Sequence, residues 1–475
     1  MLASVLLALQ VPTAAFEVRS PAFGNLTYQL DVVAGLLPWE NPAAYKALWD
    51  KEFLATAEDK AALDSWRRAR AVRQPARKPG GVNFPLEDLS VRNDPDNAAR
   101  GAGFEASDPT DYAGRMKPLV GDKQSEELLR VANRFWPKFC AWWDKEAKAP
   151  SEVFREKMAK LLERPKITDT VAQFMAFYKP ERAAKGPLKF VMLFKPGSAT
   201  GDSSGQQLGP YSVVQFRAGE DPNQRVDIVL HELCHYLYNS GPLSAHARLQ
   251  QDFLDSKQPG AIPCFNLLDE ALATALGNGV LVSRLMKPEG FAQYLAAPMS
   301  FYGRPDIDGA AKATFGWIRD WLASGKSLFA PGFAESYITA ARQRLGADLE
   351  RPMAYFSRMF LIQDKAFGPA PLMSVRNELS VASLSASMTD FQGTEAASSL
   401  KANPNMPTLV LVTPQHASRV EALGLGIKKP LSPGVFCAWR NRWTPAVVIV
   451  AGSQTEADRL VAELARMPDF KAFKG

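Results

Sequence analysis

The run VDIVLHELCHYLYN, residues 226–239, restricts what this chain can fold into more than any other stretch. It contains no proline or glycine, and Ile228, Val229, Leu230, Leu233, Cys234, Tyr236 and Leu237 leave few of its positions polar. A helix this apolar is buried, so the remaining chain must be built around it. Two of only four histidines in the sequence, His231 and His235, fall inside the run with Glu232 between them. Such rings are costly in a core unless they are bound or hydrogen-bonded.

At 475 residues the chain has room for two or three domains. An apolar share of 46% and a charged share of 22% describe an ordinary soluble globular protein. The net charge of +6 is mild for this length. The densest basic run, Arg67 to Lys78, has Trp66 as its sole aromatic neighbour and reads as a solvated helix end or linker, so no nucleic-acid partner is expected. The apolar run Leu2–Leu9, followed by Thr13, Ala14 and Ala15, reads as a signal peptide over residues 1–15, which predicts export to a periplasmic or extracellular space. A buried N-terminal strand is the competing reading. No other stretch approaches 18 uninterrupted apolar residues, and no membrane span is expected. Cys140, Cys234, Cys264 and Cys437 lie far apart without a CxxC pair. Four buried free thiols are expected, with Cys234 and Cys264 the pair to check for a disulfide.

Residues 16–185 form a mainly helical N-terminal region, in which Phe135, Trp136, Phe139, Trp142 and Trp143 read as a core stripe. From Pro187 the texture changes. LKFVMLFKPG and YSVVQFRAG read as strands, and the Gly- and Ser-rich GSATGDSSGQQLGP between them as a hairpin connection, since it lacks the ending of a phosphate-binding P-loop. More helices are expected from Asn266 to about Phe367. The Ser- and Ala-rich residues 379–406 read as a linker, and residues 407–475 alternate strand and helix patterns as a small α/β domain. His416, at a helix start there, reads as a surface residue.

On a helix, residues four apart differ by about 40° around the axis and roughly 6 Å along it, so His231 and His235 can reach one ion. Zinc suits imidazole nitrogens and leaves room for a further protein ligand and a water. Glu232, about 100° away, stands beside the ion and can accept a proton from water that the metal acidifies.

His231, Glu232 and His235 give this segment the HExxH pattern of the zincin metallopeptidases, which it resembles over roughly residues 186–345. In that fold the edge strand before the active-site helix holds extended substrate, a role the resemblance gives to YSVVQFRAG. Tyr238 and Gly241 exclude the metzincin extension, and the aspzincin signature is absent. FNLLDEALATALGNG, residues 265–279, is similar to the second helix of gluzincins, which makes Glu270 the third zinc ligand, with Asp269 and His246 as rivals. Ala271 and Ala273 would permit close packing against the motif helix. The resemblance also implies a donor to the developing oxyanion. Tyr302 is the candidate, with Tyr294 and Tyr337 as rivals. The expected class is therefore α+β, with a zincin-like catalytic domain at residues 186–378. The expected function is a zinc metallopeptidase acting on a peptide or protein substrate, with Glu232 as general base. A zincin-fold binding protein without turnover and a zinc hydrolase of another substrate are the competing functions.

Overall fold

The computed structural model describes residues 15–37, 40–71, 95–181, 186–198, 204–368, 370–381, 383–402, 406–427, 432–441 and 444–469. The expected signal peptide, residues 1–15, falls almost wholly outside them. The chain is α+β, as expected.

The first sheet has the order β1 (Phe16–Arg19), β2 (Leu188–Phe194), β4 (Tyr211–Phe216), β3 (Gly205–Leu208). β1, β2 and β4 run parallel, and β3 returns antiparallel to β4. Two expectations are corrected here. β2 and β4 are parallel neighbours, so the Gly- and Ser-rich stretch is not a simple hairpin connection between them. It contains β3, which takes the edge that the sequence reading gave to YSVVQFRAG. The physical reason is burial: every residue of β4 is buried, as an interior strand requires, whereas Gly205, Gln206 and Gln207 are only partly covered.

The N-terminal helices α1 (Ala22–Val33) and α2 (Asp122–Trp142) belong to the same core as this sheet, one cluster whose described members range from Phe23 to Leu349. Phe135 and Phe139 are fully buried in it, and Trp49, Phe53 and Phe23 meet the aromatic stripe edge-on or tilted. Of the basic run, residues 67–71 are described: Arg67 and Arg68 are exposed at a helix end, as expected, whereas Arg70 is not. Arg70 is buried on Asp31, Arg67 Nε donates to the Ala34 carbonyl and Trp66 Nε1 donates to Asp31.

The motif run forms α3 (Val226–Asn239), packed beneath β4 and β3. Against its other side lies α4 (Ala261–Ala273), continued by a π-helical segment, Thr274–Leu281, and followed by α5 (Pro305–Ala323).

The second sheet has the order β6 (Ser383–Thr389), β5 (Arg358–Asp364), β7 (Thr408–Val412), β9 (Thr444–Val450), β8 (Gly434–Asn441), with β8 alone antiparallel. Alternation divides its side chains cleanly. Met359, Leu361, Leu409, Leu411, Val447 and Ile449 pack under the helices α6 (Ala370–Glu378) and Gln454–Arg466, while Phe360, Ile362, Val410, Val412, Val448 and Val450 face the other side. This sheet begins at Arg358, inside the stretch expected to be helical, because the short apolar run Met359–Ile362 carries no period that separates strand from helix. Residues 379–406 are likewise not a linker; they hold β6 and a helix, Glu395–Ala402. Among the described residues no helix is long and apolar enough to cross a membrane.

Candidate metal centre and cleft

The apolar residues of α3 lock its orientation: Val229, Leu230, Leu233 and Leu237 are all but inaccessible. The two histidines face α4. His231 and His235 point there together, their Nε2 atoms 3.1 Å apart. Glu270 arrives from α4 and puts Oε2 at 3.7 Å from His231 Nε2 and 3.6 Å from His235 Nε2. Among the described residues these three are the group able to share one ion.

Each imidazole is oriented from behind. His235 Nδ1 lies 3.0 Å from Asp269 Oδ1, and His231 Nδ1 lies 3.1 Å from Asn278 Oδ1. Both partner atoms can only accept, so both Nδ1 atoms donate, which in the neutral rings leaves each Nε2 lone pair for an ion. The Asn278 amide is itself fixed, because its Nδ2 donates to Asp227 Oδ2 at 3.1 Å. Asp269, a rival for the third ligand, thus sits behind His235 rather than beside Glu270. His246 is away from the cluster, bonded to the Tyr238 carbonyl and stacked between Tyr238 and Phe329.

The π segment makes this second layer reachable. Asn278 lies eight residues beyond Glu270, about 80° around a regular α-helix. The wider turn of a π segment advances less per residue and brings the amide back toward the Glu270 face. Gly277 lets the backbones close. A Cβ there would lie 2.7 Å from His231 N and 2.8 Å from His231 Cα. Ala271 and Ala273 are fully buried on α4, and it is at Gly277, in the π segment that continues it, that an added Cβ would meet the motif's backbone.

Burial pushes the Glu232 carboxyl above its ordinary range, with Glu270 and Asp269 adding to the rise and the two histidines opposing it. Burial would push Glu270 the same way, but His235 and His231 outweigh it and hold Glu270 well below the carboxylate range. Burial would lower His235; Asp269 and Glu270 outweigh that too and raise it well above the imidazole range. Glu270 Oε2 nonetheless has no hydrogen-bond donor and is buried. Such an atom is open to a cation.

The donor set fits zinc in chemistry and size. Bonds of about 2.0–2.1 Å in a tetrahedron place ligand atoms roughly 3.3–3.4 Å apart. The observed separations of 3.1, 3.6 and 3.7 Å bracket that edge.

A cleft of about 900 Å³ opens over the cluster. Glu232 lies in it beside edge strand β3, so close to Gly205 that a Cβ there would stand 2.5 Å from Glu232 Oε1. β3 is pinned by Gln206, which donates to Tyr28 Oη at 3.0 Å, and by Gln207, which accepts from Asn239 at 3.2 Å. Tyr302 also lines the cleft, its ring stacked on His231 at 5.5 Å between centroids. The rival tyrosines do not line it: Tyr337 is buried against Phe253 and Phe333, and Tyr294 packs on Phe301. The four cysteines are free, Cys234 and Cys264 buried and the other two half-buried. His416 is half-buried rather than on the surface, its Nδ1 2.8 Å from Asp364.

Comparison with family models, curated proteins and solved structures returns no match for this chain.

Asp227, Asn278, Gly277, Gly205, Arg304 and Arg376 join the site without having been read from the sequence. Asp227 had a signal, standing one helical turn before His231. The others depend on packing between distant segments.

Proposed function

We propose that this protein is a zinc-dependent peptidase of gluzincin type, in which His231, His235 and Glu270 hold the ion. The convergence of two Nε2 atoms and one buried, donorless carboxylate oxygen at tetrahedral-edge spacing carries this reading. Bound there, zinc would polarise a substrate carbonyl and acidify water.

Glu232 lies next to the ligands on the cleft side of α3, and its raised proton affinity suits a general base that takes the proton of the attacking water and passes it to the leaving amine. Tyr302, stacked on His231 and lining the cleft, would offer its hydroxyl to the developing oxyanion. No described strand pairs with the outer edge of β3 at the cleft, and an extended peptide would add to it as a further strand.

The test is cleavage of a mixed peptide library by zinc-loaded protein, followed by mass spectrometry. Glu232→Gln should keep its zinc and lose cleavage by about a hundredfold or more. Equal cleavage by both proteins would remove Glu232 from the chemistry.

A further inference from the structure

The wall of the cleft facing the ligands comes from the second sheet and its helix: Arg376 and Asn377 of α6, then Ser380, Val381, Leu384 and Ala386. α6 ends by folding back, with the Val381 N–H donating to the Arg376 carbonyl and Ser380 in the left-handed region at φ 51°. A serine rarely adopts that conformation. Here it turns the chain straight from α6 into β6, so both elements meet the cleft.

The charges lining this space are nearly all matched. Glu40 is paired with Lys195, Asp269 with His235, and Arg304 with Asp306 through two bonds. Glu270 belongs to the metal ligands. The exceptions are Glu232, the proposed base, and the Arg376 guanidinium, which is half-buried and has neither hydrogen bond nor ion pair to any described residue. A guanidinium is a planar fork of five donors suited to a carboxylate, and leaving it half-desolvated and unmatched is costly. Burial indeed pushes it below its ordinary value, a bias that a bound anion would reverse.

We propose that Arg376 is the specificity determinant of the cleft and pairs with a carboxylate of the peptide substrate, so that the C-terminal α/β unit supplies substrate selection to a metal site built on other elements. The carboxylate is either the peptide's own C-terminus or an Asp or Glu side chain. This rests on the peptidase reading, and its test is therefore a binding measurement that needs no turnover.

Zinc-reconstituted Glu232→Gln protein is titrated with N-terminally fluorescent degenerate octapeptide pools. The pools carry a free acid or an amide at the C-terminus, and either Asp and Glu or only Asn and Gln inside. The pool lacking every carboxylate should bind about tenfold or more weakly than its fully charged counterpart. Adding Arg376→Gln should bring the two within about threefold, and Arg376→Lys should restore part of the preference at unchanged zinc content and Tm. Whichever single carboxylate retains the affinity identifies the source. Equal binding of all pools, no binding of any, or a preference that survives Arg376→Gln would overturn the assignment. A wild-type protein that takes up no zinc would defeat the peptidase reading instead, and zinc content is read separately from the binding curves.

Discussion

Replacing Gly277 by alanine tests whether the approach of the π segment to α3 holds the ligands in place. The new methyl would sit 2.7 Å from His231 N, 2.8 Å from His231 Cα and 3.1 Å from His231 Cβ. Carbon atoms pack best at about 3.5–4.0 Å, so the shortfall against Cα is about 0.7–1.2 Å. Two of the three atoms are helix backbone and cannot rotate away; the two segments must separate. Overpacking of this kind costs about 1–3 kcal/mol, against a gain of about 1 kcal/mol from helix propensity, for a net loss of about 0–2 kcal/mol. Gly316→Ala on α5 is the matched control, because its methyl would meet nothing within 4 Å and should stabilise by about 0.5–1 kcal/mol. Metal–ligand distances tolerate only about 0.2 Å, less than the separation imposed. Denaturant midpoints and zinc competition against a chelator read both effects. Gly277→Ala is expected to be less stable than Gly316→Ala and to bind zinc about tenfold or more weakly. If the two variants match each other in stability and in zinc affinity, the close approach does not hold the site.

Three further outcomes are expected. Asp269→Ala removes the acceptor behind His235 and should weaken zinc binding by about 10–100-fold in the same competition assay, with the fold intact by circular dichroism. Gly205→Ala should displace the Glu232 carboxylate by about 1 Å, lowering peptide cleavage by about a hundredfold while zinc content stays at the wild-type level; unchanged cleavage would mean that Glu232 does not need this position. Asp59 is buried, and although burial raises its pKa, bonds from Lys138, Arg134 and Thr56 outweigh that and bring it to about 2. A depressed carboxylate stabilises above its unfolded value near 4 and loses that contribution as pH falls through about 2. With Arg134 and Lys138 34% and 42% exposed, the contribution is discounted to about 1–2 kcal/mol. Asp59→Asn should lose that much at pH 7, and urea titrations at pH 7 and pH 2 should show the gap to wild type narrowing in acid.

Much of the site was legible because it is local. His231, Glu232 and His235 share one helix, whose geometry follows from spacing alone, and Glu270 sits in an apolar, alanine-rich helix of its own. Tyr302 was named among three tyrosines, and packing against His231 is what separates it from the others. Gly277, Asn278, Gly205 and Arg376 were silent because each matters through a neighbour dozens of residues away or more. The sheets failed in a similar way. β3 is a four-residue edge strand rich in Gly and Gln and β5 is apolar on both faces, so neither shows the alternation by which strands are read; β6 does alternate, Leu384, Ala386 and Met388 between Ser and Thr, but its Ser- and Ala-rich composition is poor in strand formers. The strand β1 follows the segment read as a signal peptide, and it is pairing with Leu188–Val191, far along the chain, that makes it a strand.

The most direct measurement is zinc content per chain by atomic emission after reconstitution and desalting, for wild type, His235→Ala and Glu270→Ala. The expected result is one zinc in the wild type and none in either variant, with all three proteins folded. No zinc in the wild type, or full retention by both variants, would contradict the assignment of His231, His235 and Glu270 as its ligands.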